Sequence, residues 1–237
     1  TTSDRDYITV LLQQEDRLDL VIPRGGERLI RFVHEHSRLP TVLHFEGVCH
    51  VFVDASADVS MARDIIVNGK TSAPAVCNAT EAVLVHESIA AEAVPKLVEV
   101  LRAEGVEVRG DAAVQALADG VVPATEDDWG TEFLDLVLAM RVVPDLEAAL
   151  EHIERYGSRH TEAIVATDPG AQETFVQRCG ASCTMVNAST RFNDGGELGL
   201  GAEIGISTTR VHAFGPMGLE ELTTQRWVVR GEGQIRG

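Results

Sequence analysis

Apolar positions along this chain fall into two periods that take turns. Short runs of three to eight residues, rich in valine, isoleucine and leucine, read as buried strands at Ala82 to Val85, Val106 to Val108, Leu136 to Val143, 161 to 166 and 183 to 186. Between them the apolar residues recur at helical spacing. Residues 58 to 68 form an amphipathic pattern (Met61, Ala62, Ile65, Ile66) stopped by Asn68-Gly69, and Ser88 caps a helix running to Glu104. Asp111 opens another to Ala118, residues 145 to 156 have Asp145 as N-cap and Gly157 as stop, and 168 to 178 is a third. Ahead of this series, 18 to 22 reads as a short buried strand followed by a glycine turn and the helix ERLIRFVHEHS. Residues 40 to 53 read as two short strands with Gly47 between them, and the end, LTTQRWVVRGEGQIR, alternates like an edge hairpin. Strand and helix alternating over this length predict an α/β fold: a mainly parallel sheet with flanking helices.

Composition narrows the function classes. With 237 residues and 44% hydrophobic content the chain can bury a sizeable core as one or two domains. Its 20 basic against 37 acidic side chains give a formal charge of -17, which opposes nucleic acid and anionic membranes as partners. No apolar run approaches the roughly 18 to 20 residues of a membrane span, so a soluble protein is expected. The cysteines at 49, 77, 179 and 183 form no paired framework, and TTSDRDYITVLLQQ lacks the layout of a secretory signal, so a reducing cytoplasm is expected. No metal site is expected either. Cys179 and Cys183 have no second pair at zinc spacing, and H-E-x-x-H is absent from the sequence.

The segment around Cys77 carries the candidate chemistry. A helix followed by an irregular loop, broken by Pro74, presents a cysteine where covalent catalysis would place one. An unperturbed thiol of pKa about 8.5 is only roughly 3% ionised at pH 7, so a nucleophile there needs help. Lys70, the hydroxyls of Thr71 and Ser72, and backbone N–H groups near Asn78 are the local candidates, the last for an oxyanion. Read from the residues alone, Cys77 is equally a small buried hydrophobe.

Sequence motifs favour the first reading. SAPAVCNATE (Ser72 to Glu81) resembles the catalytic-cysteine segment of the gamma-glutamyl phosphate reductases, a branch of the aldehyde dehydrogenase superfamily. Ile22 to Gly26 (IPRGG), Glu46 to Asp54 (EGVCHVFVD), the stretch from Val142 to Ile164 and Asn187 to Phe192 (NASTRF) with the glycine-rich segment after it resemble the family in the same way. The resemblance runs from about residue 18 to 237 and implies an aldehyde dehydrogenase-like fold. It also implies NADPH-dependent reduction of L-glutamyl 5-phosphate to L-glutamate 5-semialdehyde, with phosphate release, in proline biosynthesis. In that chemistry Cys77 attacks the acyl phosphate, and hydride from NADPH resolves the thioester. Enzymes of the family begin with a long cofactor-binding portion ahead of where this chain starts, so the isolated chain is expected not to turn over.

Carried residue by residue, the resemblance assigns Arg24, Gly25 and Gly26 to the turn beside the nicotinamide, and Glu132 to the ribose. It puts Asn78, His160, Ser189, Thr190 and Arg191 with the substrate. The residues themselves leave other uses open: a glycine pair serving only its turn, a solvated Glu132, a histidine bonded to backbone, capping hydroxyls. A guanidinium and hydroxyls at a strand's carboxyl end suit a carboxylate or phosphate, Arg191 by a bidentate pair. Glu46 stands either as a loop carboxylate or as an imitation of the water-activating base of hydrolytic aldehyde dehydrogenases. The expected division is 1–47 as remainder of a cofactor-binding domain, 48–210 as catalytic domain, and 211–237 as a returning segment and oligomerisation tail. The tail implies a homodimer, and a glutamate 5-kinase is the implied functional partner.

Overall fold

The computed structural model describes residues 6–44 and 46–237. Two helices come first, α1 (Asp6–Leu11) and α2 (Glu27–His36). An alternating series follows: β1 (Cys49–Val53), α3 (Val59–Thr71), β2 (Thr80–His86), α4 (Glu87–Ala103), β3 (Glu107–Gly110), α5 (Ala112–Leu117) and β4 (Val122–Pro123). It continues with β5 (Val137–Val143), α6 (Leu146–Tyr156), β6 (Thr161–Val165), α7 (Pro169–Arg178) and β7 (Cys183–Val186). A short antiparallel pair, β8 (Ile206–Ser207) and β9 (Gly215–Pro216), lies beyond. The seven main strands form one sheet in the order β4-β3-β5-β2-β1-β6-β7, and every ladder is parallel. The α/β expectation holds.

Parallel strands are covered on both faces, which is why their sequences are near-continuous apolar runs. On one face Val51, Val53, Val83, Val85, Leu138, Met140, Ala163 and Val165 pack beneath α3 and α4, against Ala62, Ile66, Val94, Leu97 and Leu101. On the other, Phe52, Leu84, Val143 and Ile164 meet Leu150, Ile153 and Phe175 of α6 and α7. Each of these side chains larger than alanine contributes roughly 1.5–3 kcal/mol by leaving water. Asp58, Asp111, Asp145 and Asp168 accept backbone N–H groups at the starts of α3, α5, α6 and α7. The α4 cap differs from expectation: His86, rather than Ser88, takes the cap, its ring nitrogen accepting from Ser88 N.

Other local expectations need correction. Asn68-Gly69 does not stop α3, which continues through both. Gly69 faces inward, where a Cβ would stand 2.3 Å from Thr80 Oγ1, so glycine here serves a close helix–strand approach. Residues 18 to 22 make only a lone bridge, Val21 to Thr41, and 40 to 53 holds one strand rather than two. The final residues form no hairpin: beyond Thr223 no strand is present, and Trp227 is 95% exposed. With no facing strand to bond, alternation alone does not order an edge. Among the described residues no helix is long and apolar enough to cross a membrane.

One irregularity matters for the site. Cys49 pairs with Thr80 but His50 pairs with Ala82, so Glu81 is an extra residue, a bulge at the mouth of the sheet. Bulges re-aim side chains, and this one leaves the carboxylate of Glu81 inside the α3 face. There Lys70 Nζ meets it at 2.6 Å, with both side chains buried. Burial pushes both toward their neutral forms: Glu81 is raised to about 7, and Lys70 is lowered.

Candidate active site

Loops that enter β1, β2 and β6 at their amino ends converge, bringing His44 and Gly47, Cys77 and Asn78, and His160 together. Cys77 is half-buried. Gly47 lies against its backbone so closely that a Cβ would fall 2.2 Å from the Cys77 carbonyl oxygen, a distance only glycine avoids. Cys49 Sγ donates to that same carbonyl at 3.2 Å, so the loop is held from β1 on two sides.

The surroundings of Cys77 oppose ionisation. Burial first, then the carboxylates of Glu132 and Glu203, push the thiol up to about 11, with Arg24 pulling weakly the other way. At pH 7 such a thiol is ionised in roughly one molecule in ten thousand. The sequence expectation that Lys70, Thr71 and Ser72 assist the thiolate is corrected: Lys70 is spent on Glu81, Thr71 Oγ1 donates to Val67 O at 2.8 Å, and Ser72 Oγ donates to Asn68 O at 2.7 Å.

Two neutral imidazoles face the sulfur. One ligand atom from each of His44, Cys77 and His160 falls within 4.8 Å of the others, and the two rings meet edge to face at 5.1 Å between centroids. Burial is the main reason both histidines stay neutral; it brings His160 down to about 3, and His44 is lowered also. His160 Nδ1 lies 2.7 Å from Thr161 Oγ1 and 3.7 Å from Cys49 Sγ. Because Cys49 already donates its S–H to Cys77 O, its sulfur can only accept from the ring, which puts the proton on Nδ1 and the lone pair on Nε2. His160 Nε2 and His44 Nδ1 are buried with no hydrogen-bond partner among the described residues.

Asn78 ties this loop to the segment after β7. Its Nδ2 donates to Asn193 O at 3.0 Å, and its Oδ1 accepts from Arg191 Nη1. Arg191 Nε also donates to Ser72 Oγ at 3.2 Å, and Asn193 Nδ2 to Thr161 Oγ1 at 2.8 Å. Ser189 Oγ accepts from Arg191 N, a capping use, while Thr190 is fully buried with its hydroxyl 3.2 Å from that of Thr80. The chain leaves β7 at its carboxyl end, as expected, but turns back at Asn187 (φ 54°) and delivers residues 190 to 193 to the amino ends of β2 and β6. A carboxyl-end site is therefore corrected to an amino-end one.

Arg24 Nη1 donates to Ile204 O at 2.8 Å, and Gly25 and Gly26 stand exposed at the start of α2. Glu132 accepts from the backbone N–H of Gly47; burial and Glu46 raise its pKa. Arg24 and Glu132 thus act on Cys77, which Asn78 adjoins and His160 faces, while Ser189 and Thr190 are buried. His44, Cys49 and Glu203 were not legible as site residues, since each is a lone polar residue whose partners are far away in sequence.

A family model described as the aldehyde dehydrogenase family matches residues 2–117. Over 232 residues, 98% of this chain, the sequence is 59% identical to a gamma-glutamyl phosphate reductase of Xanthomonas campestris pv. campestris (strain 8004) and 60% identical to one of Xylella fastidiosa (strain M23). The crystal structure of gamma-glutamyl phosphate reductase from Thermotoga maritima superposes on all of this chain with a TM-score of 0.96 at 49% identity. Over nearly its whole length the chain is similar to gamma-glutamyl phosphate reductases. It spans 56% and 55% of the length of the two bacterial reductases and 57% of the Thermotoga maritima chain. A probable aldehyde dehydrogenase of Listeria monocytogenes EGD-e, 17% identical with a TM-score of 0.76, shares the fold and extends it beyond the gamma-glutamyl phosphate reductases.

Proposed function

We propose that this chain is the cysteine-bearing part of an enzyme that reduces L-glutamyl 5-phosphate to L-glutamate 5-semialdehyde with NADPH, releasing phosphate, in proline biosynthesis. The observation that carries the reading is Cys77, held by Gly47 and Cys49 at the amino ends of the strands in a fold and sequence matching gamma-glutamyl phosphate reductases. Cys77 Sγ attacks the acyl carbon. A carbon–sulfur bond forms, the carbon–oxygen bond to phosphate breaks, and the thiol proton ends on the departing phosphate. Because burial keeps the thiol protonated, attack and proton departure are coupled, and the free lone pair of His160 is placed to accept the S–H hydrogen bond. Arg191, already drawn onto Asn78, sits at the rim for the substrate's anionic end, with Asn78 fixing the loop between them.

The residues present fit a nicotinamide cofactor. The backbone at the first turn of α2 is open, since Gly26 makes no side-chain cap and a Cβ there would meet nothing within 4 Å. Glu132 brings a half-buried carboxylate to the neighbourhood of Cys77. Arg24, Gly25, Gly26 and Glu132 would hold the cofactor, which when bound supplies the hydride.

We further assign 48–210 to the catalytic domain, 1–47 to the remainder of a cofactor-binding domain, and 211–237, exposed from Leu222 onward, to contact with a second copy. A glutamate 5-kinase is the enzyme class that must supply so reactive an acyl phosphate. The test runs the reaction backwards: the protein carrying this chain is given glutamate 5-semialdehyde and NADP+, with and without inorganic phosphate. Oxidation that requires phosphate supports the proposal. Phosphate-independent oxidation makes the protein a hydrolytic aldehyde dehydrogenase and overturns it.

A further inference from the structure

We infer that His44, Cys77 and His160 form a three-ligand site for a thiophilic divalent cation, zinc above all, whose binding caps the Cys77 sulfur and blocks it reversibly. Nothing in the proposed reaction calls for a metal, so this is a second use of the same atoms. Occupancy itself stands on the cluster's geometry, while its inhibitory consequence rests on Cys77 being the nucleophile.

The donor set comes first. One thiolate and two imidazoles are what a zinc ion with an open fourth position takes, and a combination that harder cations such as magnesium avoid. The three ligand atoms already lie within 4.8 Å of one another. A tetrahedral ion with bonds of about 2.3 Å to sulfur and 2.0–2.1 Å to nitrogen needs edges of about 3.3–3.6 Å. Closing the gap takes inward movements of about 1 Å shared among three side chains. His44 is free to supply much of that, standing on a coil between α2 and β1.

The second observation is the state of the ring nitrogens. His160 is fully buried, and its Nε2 has no partner among the described residues, nor has His44 Nδ1. Orphaned polar nitrogens inside a protein are costly, and a cation is one way to satisfy two neutral rings together. His160 is also prepared as zinc-ligating histidines are, with Nδ1–H spent on Thr161 Oγ1 and Cys49 Sγ so that the ring is fixed and Nε2 is left for the ion. The charged groups acting on Cys77 are Glu132, Glu203 and Arg24, two negative and one positive, so the local field favours a cation. Binding converts the Cys77 thiol to a metal-bound thiolate, and its proton goes to solvent.

The probe is cobalt(II) alone, added to the full 237-residue chain under reducing conditions, because a cobalt–thiolate bond gives a charge-transfer absorption in the near ultraviolet. The expected result is one equivalent bound with that absorption, lost in Cys77→Ser, with affinity at least tenfold weaker in His44→Ala and in His160→Asn. His44 lies off the core, so His44→Ala keeps the test sound if His160→Asn does not fold. Zinc is expected to displace cobalt and to slow alkylation of Cys77 at least tenfold, and a chelator to restore the rate. An absorption that persists in Cys77→Ser, or affinity unchanged in His44→Ala, overturns the site. Cobalt binding with these losses but no effect of Cys77→Ser on phosphate-dependent catalysis would leave the metal site standing and remove the nucleophile reading instead.

Discussion

Replacing Lys70 by methionine isolates the pair that anchors the helix before the Cys77 loop to the strand after it. Lys70 Nζ and Glu81 share a 2.6 Å contact with side chains 0% and 1% exposed, so truncating one leaves the other buried without a counter-charge. Breaking such a pair costs about 3–5 kcal/mol, whereas replacing both partners by apolar side chains is often close to neutral. For a domain of this size that is a fall in melting temperature of roughly 6–20 °C. The pH dependence follows from Glu81, whose folded pKa of about 7 lies above its unfolded value of 4.5. In the native protein its contribution is fully present below pH 4.5 and is lost as pH rises through 7. In Lys70→Met the carboxyl keeps its proton further up, so the deficit relative to the parent widens above pH 7 by up to about 1.4 kcal/mol per pH unit. Urea unfolding at pH 5, 7 and 8.5 measures this, alongside the double variant Lys70→Met, Glu81→Leu. The reasoning is refuted if the double variant is no more stable than the single one, or if the deficit shrinks with rising pH.

Gly47→Ala forces a methyl onto the Cys77 backbone, so it is expected to cost about 1–3 kcal/mol in denaturant unfolding and to reduce acylation of Cys77 far more than proportionately. His152, ringed edge-on by Trp129 and His50 and at a tilt by Tyr156, is held down to about 2 by burial, and His160 to about 3. Both folded values lie below the unfolded 6.5, so the stability they carry is present above pH 6.5 and lost as pH falls, and His152→Gln is expected to flatten the acid limb of stability against pH by close to one proton. Alkylation of Cys77 by iodoacetamide is expected to rise nearly tenfold per pH unit from 7 toward 10, without the plateau that an activated thiolate would show.

Strands were legible wherever a valine-rich run met a turn signal, because burial on both faces writes itself as continuous apolarity. Helix starts were legible through Asp111 and Asp145, whose side chains have a local job, one that Asp58 and Asp168 also do. What sequence could not show was long-range. Gly69 reads as a stop, yet its partner is Thr80; Lys70 reads as a helper for the Cys77 thiolate, yet Glu81 in a bulge captures it. The tail's alternation reads as a hairpin, but a strand needs a neighbour. The site was half legible. Cys77 stood out by motif and lies near Asn78, His160, Arg24 and Glu132, while His44 and Glu203 announce nothing locally and arrive through loops folded against one another. The amino-end position was hidden because it depends on the backward turn at Asn187.

The central claim is that Cys77 takes the acyl group from an acyl phosphate. Its most direct test is a single turnover without nicotinamide: the chain is mixed with glutamyl 5-phosphate made in place by a glutamate 5-kinase and ATP, then digested and weighed peptide by peptide. The account predicts a glutamyl thioester on the Cys77 peptide, with one phosphate released per adduct, and neither in Cys77→Ser. An adduct on Cys179 or Cys183 instead, or phosphate release unchanged in Cys77→Ser, would contradict it.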